Sequence, residues 1–95
     1  FVFPVAGTIT KWSMVVDAGT ATVKVWKIAS GTSAPTVANN INTSGVSIST
    51  GTAIISSTVS DFTTTTVSAN DIFAFNLTAV SGVNLLDFQL QITVT

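Results

Sequence analysis

Ninety-five residues is the length of one domain, and only 7% of them are charged, against roughly 25% in an average soluble domain. Cysteine and histidine are absent, which excludes disulfides, thiolate or imidazole zinc sites, and every catalytic arrangement built on a thiol or an imidazole. Three lysines, no arginine and a net charge of −1 leave no basic cluster for nucleic acid.

The pattern along the chain repeats every two residues. Thr, Val, Ile and Phe dominate, and Glu and Arg are missing, so the chain favours pleated strands over helices. The first predicted strand covers residues 8–16, with Trp12, Met14 and Val16 on one face and Lys11 and Ser13 on the other. Asp17-Ala18-Gly19-Thr20 reads as a turn with Gly19 at positive φ. A second strand over 21–28 is expected to return beside the first as a hairpin, with Val23 and Val25 inward and Lys24 and Trp26 outward or at an edge.

Residues 30–45 hold Gly31, Pro35, Asn39, Asn40, Asn42 and Gly45, all turn formers, and predict a long loop crossing between sheets. Short strands follow over 46–49 and 52–59, punctuated by Gly51, and another over 63–67. Ala69-Asn70-Asp71 predicts a turn before a strand over 72–78 that puts Phe73, Phe75 and Leu77 on one face. Ser81-Gly82 turns the chain again. In the last strand, 86–94, Leu86, Phe88, Leu90, Ile92 and Val94 alternate with Asp87, Gln89, Gln91 and Thr93, giving one core face and one wet face. About eight short strands in this length predict an all-β fold, an antiparallel, jelly-roll-like β-sandwich filling residues 1–95 as a single domain.

The catalytic inventory is nearly empty. Ser and Lys are present without an S-x-x-K motif or a nucleophile elbow. Of the four aspartates, Asp17 and Asp71 sit in turn sequences, Asp61 follows a strand, and Asp87 lies on a polar strand face, a poor basis for an acid–base pair. Loop aspartates would suit calcium best among metals, but no D-x-D-x-D-G loop occurs. The sequence therefore reads as a non-enzyme with no cofactor and no metal.

Asn42-Thr43-Ser44 and Asn76-Leu77-Thr78 match the N-x-[ST] acceptor pattern, as expected by chance in a chain rich in Ser and Thr. The candidate ligand or interface residues are Trp12, Trp26, Asn39, Asn40 and Asn42. Each tryptophan is either a sugar-stacking platform or a core or interface residue, and their places in strand interiors favour the second. The asparagines belong to the long loop.

A hydrophobic fraction of 46% with so few charges predicts that neighbours cover part of the surface, with exposed Ser and Thr as the alternative. Small domains without disulfides often lean on oligomerisation. No apolar run approaches the roughly 20 residues of a spanning helix, so no membrane insertion is expected. Phe1-Val2-Phe3-Pro4 carries no basic segment of a signal peptide, and the chain begins without Met. It reads as a fragment or processed part of a longer protein.

Four segments occur in a set order. Pro4-Val5-Ala6-Gly7-Thr8-Ile9 leads into Trp12, and Val23-Lys24-Val25-Trp26-Lys27 follows. Then come Ala34-Pro35-Thr36-Val37-Ala38-Asn39 and Val67-Ser68-Ala69-Asn70-Asp71-Ile72-Phe73-Ala74-Phe75-Asn76, before the alternating final strand. Together they resemble a β-domain that recurs in phage structural and tail-fibre-like proteins, with motifs P-x-x-G-T-I-x-x-W, V-x-V-W-K, P-T-V-A and A-G-D-I-x-A-F-N. The resemblance spans nearly the whole chain. It departs at Asn70, where the pattern has Gly and where Asn tolerates the same left-handed backbone, and it is poor over 42–59.

This resemblance implies a virion part at the particle surface: a tail-fibre tip, receptor-binding or capsid-decoration domain acting by surface presentation. It implies a homotrimer whose partners are its own copies, other virion proteins and a host-surface glycan or protein. It supplies no catalytic residue. The alternative is a lectin-like carbohydrate-binding module using Trp12 or Trp26.

Overall fold

The computed structural model describes residues 2–31, 34–49, 53–57 and 59–95. Among the described residues seven strands run in order: β1 (Gly7–Val16), β2 (Thr20–Ile28), β3 (Val46–Ser49), β4 (Ala53–Ser56), β5 (Thr66–Val67), β6 (Ile72–Ser81) and β7 (Leu86–Val94). One short 3-10 turn, Val37–Asn39, lies in the long loop. The chain is all-β, as the two-residue period requires, and its strands form two antiparallel sheets of four and three strands.

In the first sheet β1 is central. Residues Trp12 to Val15 pair with β4 and Gly7 and Thr8 pair with β5, while β7 runs beside the length of β1. A strand has two edges, so β4 and β5 share one edge end to end and β7 takes the other. In the second sheet β2 lies between β3 and β6. First strand pairs with last and second with second-to-last, a nested winding of the jelly-roll kind.

Two connections differ from expectation. The turn after β1 does not close a hairpin, because β1 and β2 belong to different sheets and the turn is an arch from one layer to the other. The inward rows of both strands are apolar, so stacking them across a core buries both at once, whereas a hairpin would leave each row needing another cover. Conversely, the long loop after β2 does not cross the sandwich, since β2 and β3 are antiparallel neighbours in one sheet. Of the strand expected over 52–59, Ala53–Ser56 forms β4. Phe1, Gly51, Thr52 and Thr58 lie outside the described residues. Of the strand expected over 63–67, only β5 forms.

The core sits between the layers. Ile9, Trp12, Met14 and Val16 of β1 face Ala21, Val23 and Val25 of β2, with Val46, Ile48, Phe62, Val67 and Phe73 closing around them. Fully burying each aliphatic side chain is worth about 1.5–3 kcal/mol. Inward positions on β1 are odd up to Ile9 and even from Trp12 onward. The switch is a β-bulge: Ile9 pairs with Ile92 and Lys11 with Gln91, so Thr10 is the extra residue.

The arches lock to each other. Gly19 has φ +75, and a Cβ there would lie 1.9 Å from the Ser81 carbonyl oxygen. Asp17 Oδ1 accepts hydrogen bonds from the main-chain N–H groups of Asn84 and Leu85, each at 3.0 Å, tying the β1–β2 arch to the β6–β7 arch. At the opposite end Lys27 Nζ donates to the Thr66 carbonyl at 2.7 Å and lies 3.5 Å from Asp71 Oδ2, linking β2, β5 and β6.

Candidate functional site

The five candidate residues fall into three environments. Trp12 is buried in the core, its ring stacked on Phe88 at 6.3 Å. That position removes it as a platform for a sugar ring. Trp26 lies on the outer face of the second sheet, half-buried, with its indole N–H enclosed and unpaired. It is bridged on one side by Asn40 and paired on the other with Ala74.

The asparagines are tied to the backbone. Asn42 is completely buried, its Oδ1 accepting from the Val25 N–H at 2.7 Å and its Nδ2 donating to the Val23 carbonyl at 3.1 Å. One amide side chain thus stands in for a missing strand residue beside β2, between the Val23–Val46 pair and the Ile41 N–H that donates to the Val25 carbonyl. Asn40 Nδ2 donates to the Asn42 carbonyl, and Asn39 Oδ1 accepts from the Thr36 N–H at 2.8 Å. The Asn42 contacts hold the loop against β2, while those of Asn39 and Asn40 stay within the loop and leave Asn40 Oδ1 buried without a partner.

The aspartates are likewise apart and locally engaged. Asp61 Oδ1 accepts from the Ser44 N–H, Asp71 Oδ2 accepts from the Ser68 N–H, and Asp17 holds the arches. The two main-chain bonds from Leu85 and Asn84 keep the Asp17 carboxyl below its ordinary range. Among the described residues no three acidic side chains come together as metal ligands.

Besides an open hollow of about 330 Å³ lined by Ala21, Thr22, Ile48 and Ile54, two surface features bear on function. The first is a shallow hollow of about 170 Å³ on the outer face of the first sheet. The pairs Lys11–Gln91, Ser13–Gln89 and Ser13–Ile55 build its walls, polar on three sides with the exposed Ile55 as an apolar rim.

The second is the open side of the sandwich where β6 lies over β7, marked by the Phe75 and Phe88 rings at 4.8 Å. Among the described residues β7 pairs with β1 alone, so its other edge faces outward. Asp17 N–H donates to the Leu85 carbonyl at one end of the ladder and Thr95 N–H to the Ala6 carbonyl at the other. The alternation between these bonds turns the main chain of the odd-numbered residues toward β1. The N–H and C=O groups of Leu86, Phe88, Leu90, Ile92 and Val94 therefore point out of the free edge. Their side chains form the inward row of β7, yet Leu86, Phe88, Leu90 and Ile92 are only half-buried and Val94 is 62% exposed.

Sequence reasoning found the two faces of this strand but not its free edge. Alternation reports which side chain points where and carries no count of hydrogen-bonded neighbours. A scan of family models, a search of curated proteins and a search of solved structures each find no match to this chain.

Proposed function

We propose that the chain is a contact module of a phage particle, a tail-fibre tip, receptor-binding or capsid-decoration domain that works by presenting surfaces while assembled with copies of itself. The observation that carries this reading is the long open edge of β7, nine residues with a half-exposed apolar row beneath it. A free edge of this length in a chain with so few charges suits a protein that is met by neighbours. The ordered resemblance of four segments to phage structural domains supports the virion setting and implies three copies. Chemistry is a weak competitor, since three of the four aspartates accept from main-chain N–H groups and Asp87 accepts from the Gln89 side chain.

The test is immunogold labelling of purified phage particles from the source of the sequence, with antibody raised against the domain. Gold at a fibre tip or on the capsid is the expected result; particles free of label, with the protein found only in the lysed host, contradict it.

A second reading is favoured by the hollow beside Lys11, Ser13, Ile55, Gln89 and Gln91: a lectin-like surface that binds a glycan through amides and a hydroxyl. It keeps the carbohydrate alternative without Trp12 as the stacking ring. Glycan-dependent change in tryptophan fluorescence, lost in Gln91→Ala, is what this reading expects, and silence across a broad glycan array counts against it.

A further inference from the structure

We infer that the free edge of β7 is a seam between two copies of this chain, joined antiparallel about a twofold axis through Leu90. The inference rests on the reading of the chain as a self-assembling contact module and names the surface that does it.

Three observations carry it. The first is that the edge is ungated. Natural edge strands are kept from pairing by lysine, proline, bulges or shortness. β7 has nine residues, no proline, no lysine and a single charge, Asp87, and the bulge in its ladder sits on β1.

The second is the direction of the main chain. The even-numbered residues of β7 present their N–H and C=O groups outward, so an axis at Leu90 makes Leu90 and its copy a hydrogen-bonded pair, flanked by further pairs of the same kind. Leu90 is the middle residue of the strand, so this axis uses the whole edge.

The third is residue matching, which argues for a second copy rather than an unrelated strand. With Leu90 on the axis, Phe88 meets Ile92 and Leu86 meets Val94, continuing the apolar rows of β1 across the seam. On the outer face Gln89 meets Gln91, and Asp87 meets Thr93 instead of another Asp87. Each row finds a partner of its own kind and no like charges are opposed. The half-exposed Leu86, Phe88, Leu90 and Ile92 gain cover from the neighbouring sandwich. An isologous seam of this kind gives an even number of copies, where the resemblance to phage domains alone implies three.

A charge swap tests the register. Gln89 and Gln91 are exposed, and both variants share Gln91→Glu, which places a carboxylate beside Lys11 of the same chain. Gln89→Glu with Gln91→Glu sets like charges against each other across the seam, while Gln89→Lys with Gln91→Glu sets opposite charges there. Sedimentation equilibrium over a concentration series reads the mass of each, and circular dichroism confirms that both are folded.

The inference expects a dimer for the wild type, self-association weakened about tenfold in the Glu/Glu variant, and a dimer restored in the Lys/Glu variant. A trimer indifferent to both variants overturns the seam and leaves the contact-module reading standing. A monomer at every concentration overturns the seam and the self-assembly reading together.

Discussion

Gly19 and Gly31 both sit at positive φ, +75 and +83, but in different surroundings. A Cβ on Gly31 meets nothing within 4 Å, whereas one on Gly19 drives into the Ser81 carbonyl. Gly31→Ala is expected to cost only the left-handed strain, about 1–2 kcal/mol. Gly19→Ala adds a main-chain clash between two arches and is expected to cost more than about 3 kcal/mol. Urea denaturation of the two variants side by side measures the difference.

Asn42→Ala strands the Val25 N–H and the Val23 carbonyl inside the protein, an expected loss of about 2–4 kcal/mol. A loss under about 0.5 kcal/mol in the same experiment would show that the amide is not holding β2. Asp17 supplies the pH dependence. Its carboxyl is held below the ordinary value of 3.8 by hydrogen bonds from Leu85 and Asn84, so the folded form binds its proton less readily than the unfolded chain does. Its contribution is complete above that value and lost as pH falls through the folded value. Asp17→Asn should flatten the fall in stability below about pH 3.8 and leave the slope at neutral pH unchanged, as acid titrations of stability will show.

At the level of elements, β1 depends on one extra residue. Thr10 shifts the inward positions from odd to even, which allows Ile9 and Trp12 to face the same core. Deleting Thr10 puts one half of the strand in the wrong phase, sending either Gly7 and Ile9 or Trp12, Met14 and Val16 toward solvent. The expected result is loss of cooperative thermal unfolding; a variant that melts as sharply as the wild type would show that the strand slips to absorb the deletion.

β1 also marks where the sequence was legible and where it was not. The alternation of Trp12, Met14 and Val16 against Lys11 and Ser13 predicted strand and faces, because burial acts on single side chains with period two. Partner choice is a different matter. Asp17-Ala18-Gly19-Thr20 is as good an arch as a hairpin turn, and only the core on the far side of Val23 and Val25 decides between them. The loop asparagines were legible as turn formers, but Asn42 acts on residues 17 and 19 positions earlier in the chain, and no local pattern reports that. Asn70 shows the opposite case: its left-handed backbone, φ +67, follows from the residue type and its turn alone.

For the whole molecule, one side of the sandwich has β3 beside β2 and β4 and β5 beside β1, with a hollow of about 330 Å³ lined by Ala21, Ile48 and Ile54. The other side is open where β6 and β7 end their sheets. The apolar row of β7 is half-exposed for that reason, in a chain whose surface carries few charges to keep neighbours away. The proposed seam would put a second copy on this open side, over the half-exposed row of β7.

Residue-resolved amide hydrogen exchange along β7, followed by NMR from dilute to concentrated protein, tests that claim most directly. In dilute solution the odd-numbered amides bonded to β1 should exchange slowly and those of Leu86, Phe88, Leu90, Ile92 and Val94 quickly. As concentration rises, the fast set should become protected while the slow set barely changes. Fast exchange of the even-numbered amides at every concentration, or their protection already in the dilute monomer, contradicts a free edge that pairs with its own copy.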